Sequence, residues 1–185
     1  MPDAPSPRIA VFGGSFDPPH VGHVLAVAYA LATAPIDEVL VVPCFQHPFA
    51  KDLAPFEARL RMTEAAFSDL RRVTVSRVEA SLGGESRTSR TVEHLARENP
   101  AARLRLLVGS DIPKDAPKWH AFERVVALAP LLVVGRRGAG GAESMLPEVS
   151  STEVRARVRE GAWDALAPLV PARVLTIVRQ EGLYR

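Results

Sequence analysis

Residues 9–31 read IAVFGGSFDPPHVGHVLAVAYAL, from Ile9 to Leu31, and this stretch decides the fold. Ile9, Ala10, Val11 and Phe12 form a short apolar run that ends at Gly13-Gly14, the pattern of a strand buried in a parallel sheet. Gly14 and Ser15 open a loop that Pro18 and Pro19 keep out of helix. From Val21 the chain turns to Val, Leu, Ala and Tyr on every side, which predicts a helix buried all round. Pro35 stops it. His20 and His23 then stand at the helix N-terminus, about one turn apart and on one face. First-turn backbone N–H groups and the positive end of the helix dipole gather there too, making an anion site with two imidazoles added.

Taken singly, these residues say little. A glycine turn after a strand occurs in any α/β protein; His20 alone fits a capping histidine and His23 alone a core histidine. The combination is more specific: His-Val-Gly-His at a helix start, behind Gly-Gly-Ser-Phe-Asp-Pro-Pro. Gly22 removes a side chain between the histidines and lets a phosphate approach the backbone.

Outward from this unit, Glu38 to Val42 (EVLVV) predicts a second buried strand, closed by Pro43. The first βαβ unit has the length of a right-handed crossover. Cys44 to Lys51 is a loop at the strand's carboxyl end. A helix is expected from Phe56 to Leu70, with Leu60, Met62, Ala66 and Phe67 inward, then an alternating edge strand from Val73 to Val78. Ser81 to Arg90 reads as a loop, with Thr88 or Ser89 capping a helix that runs to Arg97. Leu104 to Val108 is a fourth strand, ending at Gly109-Ser110-Asp111. Ile112 to Lys118 reads as a loop, Trp119 to Leu128 as a helix, Leu131 to Val134 as a fifth strand and residues 138–145 as a glycine-rich loop. Ser150-Ser151-Thr152 caps a helix from Glu153 to Glu160, Trp163 to Val170 connects, and Pro171 opens a last helix that ends near Gly182.

Five strands alternating with helices predict an α/β fold: a doubly wound, Rossmann-like parallel sheet of order 3-2-1-4-5 with a small C-terminal helical tail. Residues 1–185 are expected to form a single domain, with 1–7 a loose arm. In such sheets ligands bind at the carboxyl edge where strand order reverses. The Gly13 to His23 cluster and Gly109-Ser110-Asp111 both fall at that point.

The 185 residues are 47% hydrophobic, enough for one substantial core. The formal net charge is only +2 and no basic stripe is present, so charge does not point to nucleic acid. A single cysteine, Cys44, excludes an intrachain disulfide and a cysteine-based zinc site. The opening MPDAPSP fits neither a signal nor a transit peptide, and no apolar run reaches membrane-spanning length. The cytoplasm is the expected compartment, with no membrane partner and no metal ligands on the protein.

Suppose the ligand is ATP, attacked at its α-phosphorus by a phosphate monoester. The acceptor is already anionic and needs no general base. The difficulty is charge, since two anions must meet while pyrophosphate leaves; catalysis reduces to positioning and electrostatic stabilisation. Imidazoles, helix amides, Lys or Arg, and Mg²⁺ carried with ATP are suitable groups. No Ser-His-Asp pattern is apparent, and Cys44 reads as a core or near-surface thiol.

These residues resemble the HxGH signature of the nucleotidyltransferase superfamily, and GGSFDPPHVGH is similar to the bacterial nicotinate mononucleotide adenylyltransferases. The resemblance covers nearly the whole chain. It implies that His20 and His23 contact the ATP phosphates and the transition state, and that Gly13, Gly14, Ser15 and Phe16 line the nucleotide-binding turn. Val149-Ser150-Ser151-Thr152-Glu153-Val154-Arg155 is similar to the family's I-S-S-T-x-I-R, which implies that Ser151, Thr152 and Arg155 hold the triphosphate; by itself the segment could be only a stable helix start. Gly109 and Asp111 resemble the G-x-D on the adenosine side. Trp119 matches a tryptophan that stacks on the pyridine ring, although a core aromatic is an equally simple reading.

The acceptor side departs from the family. Its usual P-P-H-K/R is here His47-Pro48-Phe49-Ala50-Lys51. Its S-Y-T-x-D-T is here Ser86-Arg87-Thr88-Ser89-Arg90-Thr91, and the residue after the tryptophan, often Tyr, is His120. Acceptor contacts are expected from Lys51, Arg87, Thr88, Trp119 and His120. The implied partners are ATP and a pyridine mononucleotide. Nicotinamide mononucleotide, phosphopantetheine or another phosphate ester are alternative acceptors, and a catalytically silent nucleotide-binding module is the alternative from another class.

Overall fold

The structure, a computed structural model, describes residues 6–47, 52–110, 119–135 and 147–185. Strands β1 (Arg8–Gly14), β2 (Glu38–Pro43), β3 (Val73–Val75), β4 (Arg103–Gly109) and β5 (Leu131–Val134) form one sheet in the order β3-β2-β1-β4-β5. Every neighbouring pair is parallel, which is the Rossmann-like topology that the sequence predicts. Alternate residues explain why the strands are apolar throughout. Ala10 and Phe12 of β1 enter one core, and Ile9 and Val11 enter the other.

Helices α1 (Val21–Thr33), α2 (Phe56–Phe67), α6 (Ser151–Arg159), α7 (Trp163–Leu166) and α8 (Ala172–Gln180) cover the first core, contributing Val27, Met62, Val154, Leu166 and Val174. Helices α4 (Thr88–Glu98) and α5 (Phe122–Leu128) cover the second with Val92, Leu95 and Val125. The C-terminal helices therefore complete a layer of the fold.

Several local expectations are corrected. Helix α1 is not buried all round: Val27 and Ala30 are fully buried, but Leu25 and Tyr29 are 42% and 38% exposed. It forms part of an outer layer, so it has an inner and an outer face however apolar its composition. Strand β3 stops at Val75 instead of Val78, and Val78–Leu82 forms a short helix, α3, across what reads as strand and loop. As the edge strand, β3 has one neighbour, and the Ser76 hydroxyl accepts from the Val78 N–H at 3.2 Å, turning the chain into helix.

Other boundaries shift as well. Helix α2 ends at Phe67 and not Leu70. The N-cap of α4 is Arg87, so neither Thr88 nor Ser89 caps it. Helix α5 begins at Phe122, which leaves Trp119 ahead of it. At α6 the cap is Ser150, whose hydroxyl accepts from the Glu153 N–H at 3.1 Å, and this draws Ser151 and Thr152 into the first turn. The connector that follows holds one helical turn, α7. The loops expected over 112–118 and 138–145, and the last part of the loop after β2, lie outside the described residues.

At the amino edge Arg8 joins the start of β1 to Asp37, just before β2. Its guanidinium donates to Asp37 Oδ1 at 2.7 Å and Oδ2 at 3.1 Å, and its backbone N–H donates to Oδ2 at 2.7 Å. The guanidinium bond first, then the backbone bond, holds the Asp37 carboxyl down at about 2. A carboxyl depressed by folding contributes stability above its unfolded pKa, about 4, that is lost as pH falls through the folded value. Both side chains are nearly half exposed, so the effect is small and screened by salt. Accordingly, the thermal midpoint of the parent should fall more steeply between pH 4 and 2 than that of Asp37→Asn at low ionic strength. Equal slopes in the two proteins would contradict this.

Candidate active site

A cavity of about 980 Å³ opens at the carboxyl edge, walled by Gly13 and Gly14 at the end of β1, by Ser15 just beyond it and by Gly109 at the end of β4. This is the point where strand order reverses, and the volume lies at the upper end for small-molecule sites.

His20 is the N-cap of α1 and His23 its third residue. The His20 N–H donates to His23 Nδ1 at 3.2 Å, and the two form a capping box in which imidazoles replace the usual hydroxyl and carboxylate. A ring nitrogen that accepts from an N–H carries no proton, so the neutral His23 ring keeps its proton on Nε2, as a donor. The ring centroids lie 3.7 Å apart with a 32° tilt. Phe16 meets the His23 ring edge-on at 5.0 Å, and Phe12 lies 6.1 Å from it. Both histidines border the cavity, although His20 is only 4% exposed.

The glycines have a more local reason than phosphate access. A Cβ at position 22 would stand 3.0 Å from His20 Nδ1 and 3.3 Å from Val149 Cγ1, and one at position 14 would stand 3.0 Å from the Phe16 ring. Gly22 thus makes room for the His20 ring. The first turn is also less open than expected. Val21 N–H donates to the Leu169 carbonyl at 2.9 Å and His23 N–H to that of His20 at 3.0 Å. Gly22, between these two residues, borders the cavity.

Phe16 is not on the wall. It has a positive φ of 47°, is 1% exposed and belongs to the first core. Ser151, Thr152 and Arg155 lie beside the cavity and not among the residues that border it, and Ser151 and Arg155 grip the loop between β1 and α1. Ser151 Oγ donates to the Pro18 carbonyl at 2.9 Å. Arg155 Nη1 donates to the Asp17 carbonyl at 2.7 Å, and Nη2 to Thr152 Oγ1 at 3.3 Å.

At the other end, Arg87, Thr88, Trp119 and His120 all border the cavity. Trp119 also packs against the second core, as the core-aromatic reading expects. Ser89 Oγ lies 3.4 Å from His120 Nδ1. Arg87 is paired with Glu85 Oε2 at 2.9 and 3.3 Å. Lys51 and Asp111 lie outside the described residues.

The cytidylyltransferase-like family model matches residues 11–157. The chain is 49% identical to a protein of Anaeromyxobacter dehalogenans named a probable nicotinate-nucleotide adenylyltransferase, over 96% of this chain and 97% of that one. It belongs to the nicotinate-nucleotide adenylyltransferase family. A Myxococcus xanthus protein of the same name is 39% identical, over 97% of this chain and 96% of that one. The fold is also that of the Plasmodium falciparum nicotinic acid mononucleotide adenylyltransferase complexed with NaAD, with a TM-score of 0.80 at 18% identity, over 96% of this chain and 97% of that one.

In this adenylyltransferase, residues that sequence reasoning passed over hold the cavity rim. Arg59 of α2 is 2% exposed. Its guanidinium donates to the carbonyls of Ala54 (2.9 Å), Ser15 (2.9 Å), Cys44 (2.7 Å) and Phe45 (3.3 Å), tying the loops after β1 and β2 together. Burial pulls its pKa below the usual arginine range, yet a guanidinium stays charged. One signal was available: Arg59 falls in helical phase with Met62, Thr63 and Ala66, all buried. Glu79 and Ser86 do the same for the end of the cavity that Arg87 and Thr88 border. Glu79 Oε2 and Ser86 Oγ accept from the Phe45 N–H at 3.0 and 2.8 Å, and Glu79 Oε1 accepts from the Thr91 hydroxyl at 2.9 Å. Tyr184, four residues beyond the end of α8, reaches Asp17 with its hydroxyl.

Proposed function

We propose that the protein transfers AMP from ATP to nicotinate mononucleotide, giving deamido-NAD and pyrophosphate. The observation that carries this reading is the pair of stacked imidazoles at the α1 N-terminus, facing a cavity that continues to Arg87 and Trp119. The relatives' names agree with it.

A phosphate oxygen of the mononucleotide attacks the α-phosphorus of ATP. The bond to the bridging oxygen breaks, and pyrophosphate leaves with the electron pair. No proton has to be removed. Charge accumulates on phosphoryl oxygens, so fixed donors at that point lower the barrier. His20 and His23 serve as those donors. Gly13, Gly14, Ser15 and Gly109 border the nucleotide, while Ser151, Thr152 and Arg155 hold the triphosphate beside the loop that Ser151 and Arg155 grip. Phe16 acts from behind, by supporting His23.

Mg²⁺ enters as part of the Mg-ATP substrate. Among the described residues no group of three or more His, Cys, Asp or Glu side chains is placed to hold a metal ion, and we assign the phosphates as its ligands. Also among the described residues, no helix is long and apolar enough to cross a membrane. We place the reaction in the cytoplasm, where a lone thiol such as Cys44 stays reduced.

The deciding experiment supplies ATP and Mg²⁺ with each acceptor in turn and measures pyrophosphate. Release with nicotinate mononucleotide supports the assignment. Release only with another phosphate ester moves the acceptor, and silence with all of them favours a regulatory module. Arg87 offers a finer test. Its pair with Glu85 is exposed on both sides and worth little, so the guanidinium can exchange that partner for a ligand carboxylate. A hydrogen bond to a charged group contributes about 1.5–3 kcal/mol, or roughly 10–100-fold in kcat/KM. Arg87→Ala should narrow the preference for the acid over the amide by about that factor, with little change in use of the amide. An amide preference in the parent would sink the acceptor assignment; an unchanged ratio in the variant would sink only the part of Arg87.

A further inference from the structure

Tyr184 stands 167 residues after Asp17, yet its hydroxyl donates to Asp17 Oδ1 at 2.7 Å. Asp17 is 1% exposed. The same oxygen accepts from the Ala54 N–H at 3.1 Å. The other, Oδ2, faces Arg155 Nη1 at 3.5 Å, and that nitrogen donates to the Asp17 carbonyl. Two donors on one oxygen fix the carboxylate plane, and the plane fixes the direction in which Oδ2 attracts the guanidinium. Burial, then the neighbouring Asp17 charge, pushes the Tyr184 pKa far up, so its hydroxyl remains a donor throughout the working pH range.

We propose that Tyr184 is a positioning residue for ATP. By holding the Asp17 carboxylate it sets where the Arg155 guanidinium lies, and so how that arginine meets the triphosphate. This rests on the reading of Arg155 as a triphosphate contact. The side chain of Arg155 is 26% exposed, and its bonds to Asp17 and Thr152 use two of five N–H donors. The others can meet phosphate oxygens as long as Asp17 does not draw the fork away. Without the tyrosine hydroxyl, the carboxylate turns toward Arg155 as its strongest remaining partner and competes with the phosphates.

The test measures Mg-ATP and nicotinate mononucleotide binding separately in the parent, Tyr184→Phe, Arg155→Ala and the double variant. Phenylalanine keeps the ring and its contacts. Tyr184→Phe should weaken ATP about tenfold, the scale of one hydrogen bond to a charged group, and leave the acceptor affinity within about twofold. In the Arg155→Ala background it should add nothing. Equal loss of both ligands, no loss of either, or full additivity overturns the proposal. If Arg155→Ala itself leaves ATP binding unchanged, the reading of Arg155 fails and takes the proposal with it. If Arg155→Ala weakens ATP and Tyr184→Phe does not, only the proposal fails. Should Tyr184→Phe not fold, Asp17→Asn, which sets an amide NH₂ against the Arg155 guanidinium in place of Oδ2 and so displaces it, must show the same split, ATP weakened and the acceptor spared; equal loss of both, or no loss of ATP, overturns it.

Discussion

Replacing His20 or His23 by alanine is expected to lower kcat by about 10²–10³, the usual cost of one preorganised donor to developing charge, and to leave a protein that melts cooperatively. The two histidines differ in what else they hold. His20 is nearly buried, and Gly22 makes room for its ring. His23 supplies the acceptor for the His20 N–H and packs on Phe16. His23→Ala should therefore lose somewhat more stability, although both variants should keep the secondary structure of the parent. Steady-state rates with saturating ATP and acceptor, beside thermal melts, separate the cases. A near-normal rate in either variant removes its phosphate role. Wholesale unfolding would assign the histidine to the core.

Arg59→Leu has the largest expected effect on stability. The substitution strands four carbonyls, those of Ala54, Ser15, Cys44 and Phe45. A buried group left without its partner costs about 1–3 kcal/mol. Some of these carbonyls regain water at the rim, so a total of about 3 kcal/mol is expected. For a chain of this size that lowers the midpoint by roughly 6–12 °C. Arg59→Lys should recover little, because one ammonium cannot span four acceptors in the way a planar fork does. Ser15 and Cys44 both border the cavity, so affinity for ATP and for the acceptor should fall together. A midpoint within about 2 °C of the parent would show that the guanidinium is not what joins these loops.

The part of the molecule legible in the sequence is the part governed by local pattern. The unbroken apolar runs of β1, β2 and β4, the glycine turn and the alternation of strands with helices specify sheet order and the edge at which a ligand sits. Composition misleads where environment decides. Helix α1 is apolar around its circumference, yet Leu25 and Tyr29 face outward because a sheet covers only one side of a helix. The stretch from Val73 to Val78 alternates like a strand, but an edge position with one neighbour and a serine ready to bond the backbone end it early. Arg87, Thr88, Trp119 and His120 come together from segments that a resemblance could mark but no spacing could join. Arg59 and Tyr184 were opaque for a further reason. An arginine normally reads as surface, and a tyrosine near a closing helix reads as core. Only the folded chain shows that each is aimed at an oxygen of the loop between β1 and α1.

The bonds from Ser151 to Pro18, from Arg155 to Asp17 and from Tyr184 to Asp17 cross 133, 138 and 167 residues of chain. Closing loops of that length is an entropic cost met before the contact rewards it, so such contacts belong to the late stages of assembly. The chain can collapse around β1, β2 and α2 well before the loop between β1 and α1 has its final shape. Nucleotide binding is then a property of the finished molecule alone. A ligand that binds only the finished form stabilises it by mass action. ATP held at this loop would act as a clasp between distant segments, and the occupancy of the site would determine how often the whole sheet opens.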